Sequence, residues 1–376
     1  MVTSAAGIIF SSLNDNNLSR LTADRAIGAI PFACRYRLID FCLSNLVNAN
    51  VSNISIVANY NYRSLLEHIG SGKDWDLARR KGGINIVSPY QTAKYSSPKI
   101  FATHLEALKN MRDYIDEIRE EFVVLMDSDH VLNIDIADVI RSHEKAGANI
   151  TMVTKKIAST YSSKNPRLMV SSVSGVVSDL SISKTYTERN PELCLNMYVM
   201  RTVYLKKVIE EAEAYNLESL TGYMLKGFRH INCHAYQYSG YVASISSFRD
   251  YYKCSMELIG DRAAAESLLW RLESPVYTRV HNSAPSVYRK ESSVINSMIA
   301  DECVIEGTVI NSVLFRGVKV GRGAVVKDSV LFRGTTVNSG ASLNCIVTDK
   351  DVTVSDGVVL SGNENMPFYI QKGRKI

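Results

Sequence analysis

The hexapeptide Ser312-Val313-Leu314-Phe315-Arg316-Gly317 returns unchanged as Ser329-Val330-Leu331-Phe332-Arg333-Gly334, 17 positions later. An identical repeat in register requires successive segments to form one supersecondary unit and to stack on each other. In the same phase, Val320-Gly321-Arg322-Gly323-Ala324 is matched by Val337-Asn338-Ser339-Gly340-Ala341, and Val354-Ser355-Asp356-Gly357 follows 17 further on. Within each unit an apolar residue recurs after six: Val320 and Val326, Val337 and Leu343, Val354 and Leu360, and earlier Ile299 and Ile305. Three hexads make one coil of a triangular, left-handed parallel β-helix with small residues at its corners. A period of 17 rather than 18 tightens one corner by a residue. Such a helix is quasi-one-dimensional, so its ends and faces must be capped or paired. Its flat sides and open edges invite other subunits. The domain therefore reads either as an oligomerisation and regulatory module or as plain architectural packing.

Upstream, apolar strand runs alternate with helical periods, the pattern of an α/β domain with a mainly parallel sheet. Ser55-Ile56-Val57-Ala58 predicts a strand, followed by a helix near 64–69. Phe101, Leu105, Leu108, Met111, Ile115 and Ile118 recur every three or four positions and predict one helix with a buried face. Phe122-Val123-Val124-Leu125-Met126 is continuously apolar, as a strand covered on both faces requires. Its carboxyl end delivers Asp127-Ser128-Asp129-His130 to the sheet edge where ligands of open α/β folds sit. A hairpin through Gly175 and strands near 196–199 and 235–238 complete this part. The chain divides into an α/β domain over 1–248, a helical connector over 249–287 and a β-helix over 288–376.

The 376 residues exceed one ordinary core and suit two. No apolar run approaches the about 18 residues that cross a bilayer. The first 19 residues carry no Lys or Arg, which argues against a secretory signal. Seven cysteines stand singly, a pattern of reduced thiols in a cytoplasm. The net charge of +5 is spread along the chain, with dense basic runs only at Arg79-Arg80-Lys81 and Lys372-Gly373-Arg374-Lys375. No recognition motif accompanies them, so neither nucleic acid nor membrane is an expected partner.

Near the N-terminus, Gly7-Ile8-Ile9-Phe10 reads as a buried strand, and the turn after it, Ser11-Ser12-Leu13-Asn14-Asp15-Asn16-Asn17, lacks glycine. A nucleotide-handling turn needs bare backbone N–H groups to close on phosphate oxygens. Here every residue has a Cβ, and Asp15 adds negative charge. Leu21-Thr22 and Arg25-Ala26 then lead through Ile30-Pro31-Phe32 into Tyr36-Arg37-Leu38-Ile39-Asp40-Phe41. This block resembles the glucose-1-phosphate adenylyltransferases (ADP-glucose pyrophosphorylases), whose pattern is Gly-Gly-x-Gly-x-Arg, Leu-Thr, Arg-Ala-Lys-Pro-Ala-Val-Pro-Phe-Gly-Gly and Tyr-Arg-Ile-Ile-Asp-Phe. The likeness continues through 42–45, 60–69 and Asp129-His130 to the repeats. It implies a nucleotidyltransferase-like, Rossmann-like domain ahead of the left-handed β-helix.

In the family, the sugar phosphate attacks the α-phosphorus of a nucleoside triphosphate, with Mg²⁺ and cationic groups stabilising the charge that builds up. Carried over position by position, Ser11-Ser12 stand for the paired glycines, Ile27 for the reactive lysine and Ala33-Cys34 for the second glycine pair. Asp129 keeps one metal-binding aspartate, with Ser128 in place of its glycine; Ser244 fills the position of the second. The Glu-Lys-Pro segment that grips the sugar phosphate has no counterpart at 180–191, and Gly-Thr-Ala-Asp reads Ala102-Thr103-His104-Leu105. Pro89-Tyr90-Gln91 retains part of the base loop, which makes Gln91 a ligand-binding candidate. No catalytic or metal set is intact, and no cofactor is expected; Mg²⁺ would belong to a catalytic partner.

The pattern resembles the diverged GlgD-type subunit that some bacteria pair with a catalytic one. The resemblance implies a hetero-oligomer, a tetramer, in which this chain alters its partner's turnover and response to a phosphorylated-sugar effector. Arg35, at the position of an activator-phosphate lysine, and neighbouring Arg37 are the effector candidates; an ordinary ion pair is the alternative for Arg35. Two rival functions remain. One is an active nucleotidyltransferase holding metal through Asp127 and Asp129 together. The other is a hexapeptide-repeat acyltransferase, which lacks the usual base because no histidine follows His281. His230-Ile231-Asn232-Cys233-His234 reads as a packed strand rather than a zinc site, and Tyr60, Tyr62, Tyr90 and Tyr95 as rim or core aromatics rather than base-stacking ones.

Overall fold

The structure, a computed structural model, describes residues 4–11, 13, 18–79, 82–88, 101–157, 161–186 and 192–376, without the side chains of 161–165 and 186. Nine strands form one sheet in the order Gly83–Val87, Asn53–Val57, Ala5–Phe10, Phe122–Asp127, Glu192–Arg201, Ile150–Lys156, Cys233–Gln237, Val176–Tyr186, Tyr161–Val173. The first four run parallel. Glu192–Arg201 is antiparallel to both neighbours, and Cys233–Gln237 is again parallel to Ile150–Lys156. The hairpin across Gly175 extends the far edge.

Alternation of side chains explains why Phe122–Asp127 is buried throughout. Val124 and Met126 enter one core cluster, while Val123 and Leu125 enter the cluster on the opposite face. The helical period after Phe101 resolves into two helices, His104–Asn110 and Arg112–Glu117. Thr103 caps the first by accepting the Glu106 N–H. Met111, with φ −101° and ψ 21°, breaks the path between them. The periodicity survives the break, since Leu105, Leu108, Met111, Ile115 and Ile118 all pack in one cluster. Sequence period reports the buried face, and a one-residue kink leaves that face intact.

The connector contains helices Phe248–Gly260 and Arg262–Leu269, capped by Ser247 and Asp261. Their apolar sides join the N-terminal segment to the repeats in a single cluster that includes Phe32, Phe41, Tyr251, Phe315 and Phe332. The repeated hexapeptide thus faces two ways. Leu314 and Leu331 point into the coil, while Phe315 and Phe332 meet edge to face at 5.2 Å in the core shared with the connector. Arg25, 2 % exposed, crosses the same junction to bond Asp349 at 2.6 Å. Asp349 also accepts the Tyr369 hydroxyl at 2.7 Å and the Lys350 N–H.

The repeats form three five-stranded parallel sheets. Register follows the 17-residue period where the sequence repeats, as in Val320↔Val337↔Val354 and Val313↔Val330↔Val347. An earlier coil is shorter by two, pairing Val304 with Lys319, and the last is enlarged, pairing Ile346 with Phe368. No helix among the described residues is long and apolar enough to cross a membrane.

Candidate functional site

Three segments meet at the carboxyl end of Phe122–Asp127. Ser11 continues the first strand by donating its N–H to Val57 O, and Ser128 donates its own to Phe10 O. The strand Val242–Ser244 pairs antiparallel with His130–Leu132, which sets Ser244 opposite His130 and beside Asp129. The structure therefore brings Asp129 and Ser244 to one place. Ile27 is 2 % exposed and packs in the cluster shared with the connector and repeats, together with Val131, Ala243 and Ile245 beneath this edge. Gln91, with the rest of its loop, and most of the 11–17 turn lie outside the described residues.

The two carboxylates at this edge are engaged by histidines. Asp129 Oδ1 lies 2.6 Å from His130 Nδ1. Burial alone would raise the Asp129 carboxyl, but His130 against it, with Arg167 and His104 nearby, holds it down at about 2. Asp127 Oδ1 lies 2.6 Å from His104 Nε2, and its Oδ2 accepts the Asn196 amide at 2.9 Å. Burial works to lower the His104 pKa; Asp127, by charge and hydrogen bond, overrides it and raises the net value. The His104 ring also stands edge-on to Phe10 at 4.6 Å. A cavity of about 200 Å³ remains, lined among others by His104, Asp129, Arg167, Asn196 and Ser246.

The glycine-less frame is visible in the backbone. Ser11, fully buried, turns its hydroxyl to the Gly28 N–H at 3.3 Å, and a Cβ on Gly28 would meet that oxygen at 2.6 Å. Ala33 and Cys34 have φ of 46° and 57°, so two non-glycine residues hold the left-handed conformation that glycine adopts freely.

These donors do not fit a catalytic magnesium. Mg²⁺ is held by carboxylates that leave oxygens open to the ion, its waters and phosphate. Here a histidine takes an oxygen of Asp129, both oxygens of Asp127 are in hydrogen bonds, and Ser244 offers a neutral hydroxyl. Among the described residues no group of three His, Cys, Asp or Glu could hold a metal. His234, from the His-Cys-His segment, lies on the strand Cys233–Gln237 and bonds Ser142 of the helix Ile136–Ala146 at 2.9 Å. Tyr62 packs against the first core cluster.

Arg35 and Arg37 sit at a second place, the junction with the repeats. Arg35 is exposed and lies over the Tyr36 ring at 5.6 Å. Arg37 is half-buried and donates to Ser64 O at 2.6 Å and Ser64 Oγ at 3.0 Å. Burial lowers Arg37 to about 10 despite Asp40. Lys350 falls to about 8 through burial and the charges of Arg37 and Arg25. Arg316, Arg333 and Lys350 occupy one position in three successive 17-residue coils, and Arg316 feels Arg35.

Sequence reasoning did not single out His104, Asn196 or Arg167. One signal was present: His104 stands where the family pattern has alanine, and an imidazole there must fill space or find a partner.

A nucleotidyltransferase-type sheet domain followed by a hexapeptide β-helix defines the class. The chain matches the nucleotidyl transferase family over residues 7–165 and the GlmU-like C-terminal hexapeptide family over residues 282–366. It is 35 % identical over 325 residues to the glycogen biosynthesis protein GlgD of Bacillus subtilis (strain 168), covering 85 % of this chain and 82 % of that protein. With GlgD of Geobacillus stearothermophilus it shares 36 % over 367 residues, 98 % of this chain and 96 % of the relative. A glucose-1-phosphate adenylyltransferase of Mycoplasma mobile is 27 % identical over 327 residues, 85 % of this chain and 84 % of that enzyme. The chain belongs to the family of GlgD proteins and glucose-1-phosphate adenylyltransferases.

Proposed function

We propose that this chain is a regulatory subunit of an ADP-glucose pyrophosphorylase in glycogen synthesis, without meaningful turnover of its own. It assembles in the cytoplasm with a catalytic subunit as a hetero-oligomer, a tetramer. The observation that carries this reading is the engagement of both cleft carboxylates by His104 and His130, which commits Asp127 and one oxygen of Asp129 to imidazole and amide partners rather than to magnesium triphosphate. The inward Ser11 hydroxyl and the burial of Ile27 support it, because the positions that would cradle and neutralise phosphate are filled by structural contacts. A subunit of this kind alters its partner through contacts that differ between two states of the assembly. The junction cations Arg35, Arg37 and Lys350 are the site for a phosphorylated-sugar effector, since burial and mutual repulsion make added phosphate favourable there.

The decisive assay uses ATP, glucose 1-phosphate and Mg²⁺. Purified alone, the chain is expected to form no ADP-glucose above background. Mixed with the catalytic subunit of the same organism, it is expected to co-elute as a larger species and to raise its rate. Turnover alone comparable to that of a catalytic relative overturns the reading. So does a mixture in which the two neither associate nor alter each other's rate.

A further inference from the structure

The helix Thr202–Ala214 and the short helix Leu220–Gly227 enclose a cavity of about 500 Å³ on the flank of the sheet domain. That volume lies within the 300–1,000 Å³ of small-molecule pockets. Tyr204, Tyr215 and Tyr223 line it, with Lys207, Glu211 and Lys226. The sequence explains the arrangement: Tyr204, Lys207 and Glu211 fall at i, i+3 and i+7 on one helical face. Tyr215 caps the same helix just before Asn216, which turns the chain at φ 51°. The core has not absorbed this ring, for Tyr215 is 68 % exposed while Tyr223 behind it is 6 % exposed.

The polar groups are organised as well. Tyr223 donates its hydroxyl to Glu211 Oε2 at 2.6 Å and lies 3.5 Å from the Tyr204 hydroxyl. Lys207 pairs with the same carboxylate at 3.6 Å. The Lys207 charge is therefore met within the pocket, and no multiply cationic cradle for phosphate is assembled. What remains is the exposed Tyr215 ring beside a carboxylate acceptor and amine donors. Such a surface matches a neutral polyhydroxyl chain, whose C–H faces stack on the ring while its hydroxyls bond to the charged heads.

We propose that this pocket binds a short stretch of α-glucan, at a site separate from the strand-end cleft. The choice of glucan among polyhydroxyl chains rests on the glycogen-related role proposed above. Its test reads binding and is independent of turnover and of the partner subunit. Maltoheptaose titrated into the full chain by calorimetry is expected to bind saturably. Tyr215→Ala should weaken that binding at least tenfold and Tyr215→Phe should retain it, while native-gel mobility in glycogen follows the same order. An exposed side chain can be removed without unfolding, and an unchanged circular dichroism melt checks this for Tyr215→Ala. The inference is overturned if maltoheptaose does not saturate the parent, if Tyr215→Ala binds it equally well, or if ATP displaces it competitively. Tyr215→Ala should leave stimulation of the catalytic subunit, measured without glucan, unchanged; absence of stimulation by the parent as well would count against the regulatory reading alone.

Discussion

The interior of the β-helix and the cleft at the strand ends use the same chain in opposite ways. In the coils, inward residues often lie over one of their own kind, as Val320 over Val337 over Val354 and Leu314 over Leu331. In the cleft, Asp129 meets its own neighbour His130, while Asp127 meets partners far away in sequence and of different chemistry. Asp127 is held by His104 from 23 residues before and Asn196 from 69 after. The coil is thus specified by a local rule repeated, and the cleft by a few separate pairings. Family shape can persist in both while the chemistry of the second is rewritten by single substitutions.

The junction between the two regions gives the largest expected effect. Arg25 and Asp349 are both buried, separated by 324 residues, and tie the sheet domain to the repeats. Arg25→Ala leaves a carboxylate that keeps the Tyr369 and Lys350 donors but loses its countercharge. Removing one partner of a buried pair costs about 3–5 kcal/mol. Thermal unfolding should shift down by about 5 °C, and a double replacement Arg25→Met, Asp349→Leu should recover much of it. A loss under about 1 kcal/mol in Arg25→Ala would mean that the two regions are stable independently of this tie.

A smaller effect is expected at Ile27, where the family pattern has a lysine. Its side chain belongs to the apolar cluster shared with the connector, so Ile27→Lys should destabilise by about 2–3 kcal/mol, less if the amine reaches solvent. Combined with Ser244→Asp it should still give no ADP-glucose, because Ser11 and the histidine pairs remain in place. Detectable turnover in the double variant would show that the cleft's pairings yield readily to substrate and that the contrast with the coil is shallow.

How much of this was legible follows from the same contrast. The repeats announced their fold because a coil position is constrained by neighbours at a fixed separation in sequence. Even there, the two-residue contraction before Lys319 and the enlargement before Phe368 escaped notice, since neither preserves the period. Phe315 and Phe332 are identical in the repeat, yet their outward role depends on Tyr251 and the connector, which the repeat does not encode. In the sheet domain, the apolar run of Phe122–Asp127 fixed the strand and the placing of Asp129 at its end. The partners of Asp127 did not follow, because a histidine 23 residues upstream carries no sign of where a helix will aim it. Separation in sequence, more than chemical subtlety, set the boundary.

The smallest expected effect bears on the cleft alone and has a sign that distinguishes it from simple packing loss. Asp127 raises the His104 pKa above its unfolded value near 6.5, so the charged pair contributes stability that is complete below about pH 6.5. That contribution is lost as pH rises through the folded pKa, where the imidazole becomes neutral. His104→Gln keeps a donor toward Asp127 but cannot carry charge. Urea midpoints of parent and variant should therefore differ most near pH 6 and converge toward pH 9. A gap that is constant across this range would assign His104 a steric role against Phe10 only, and the edge would then hold Asp127 without a charged partner. A gap that widens with pH would reverse the linkage and remove the ion pair from the account of how this cleft is closed.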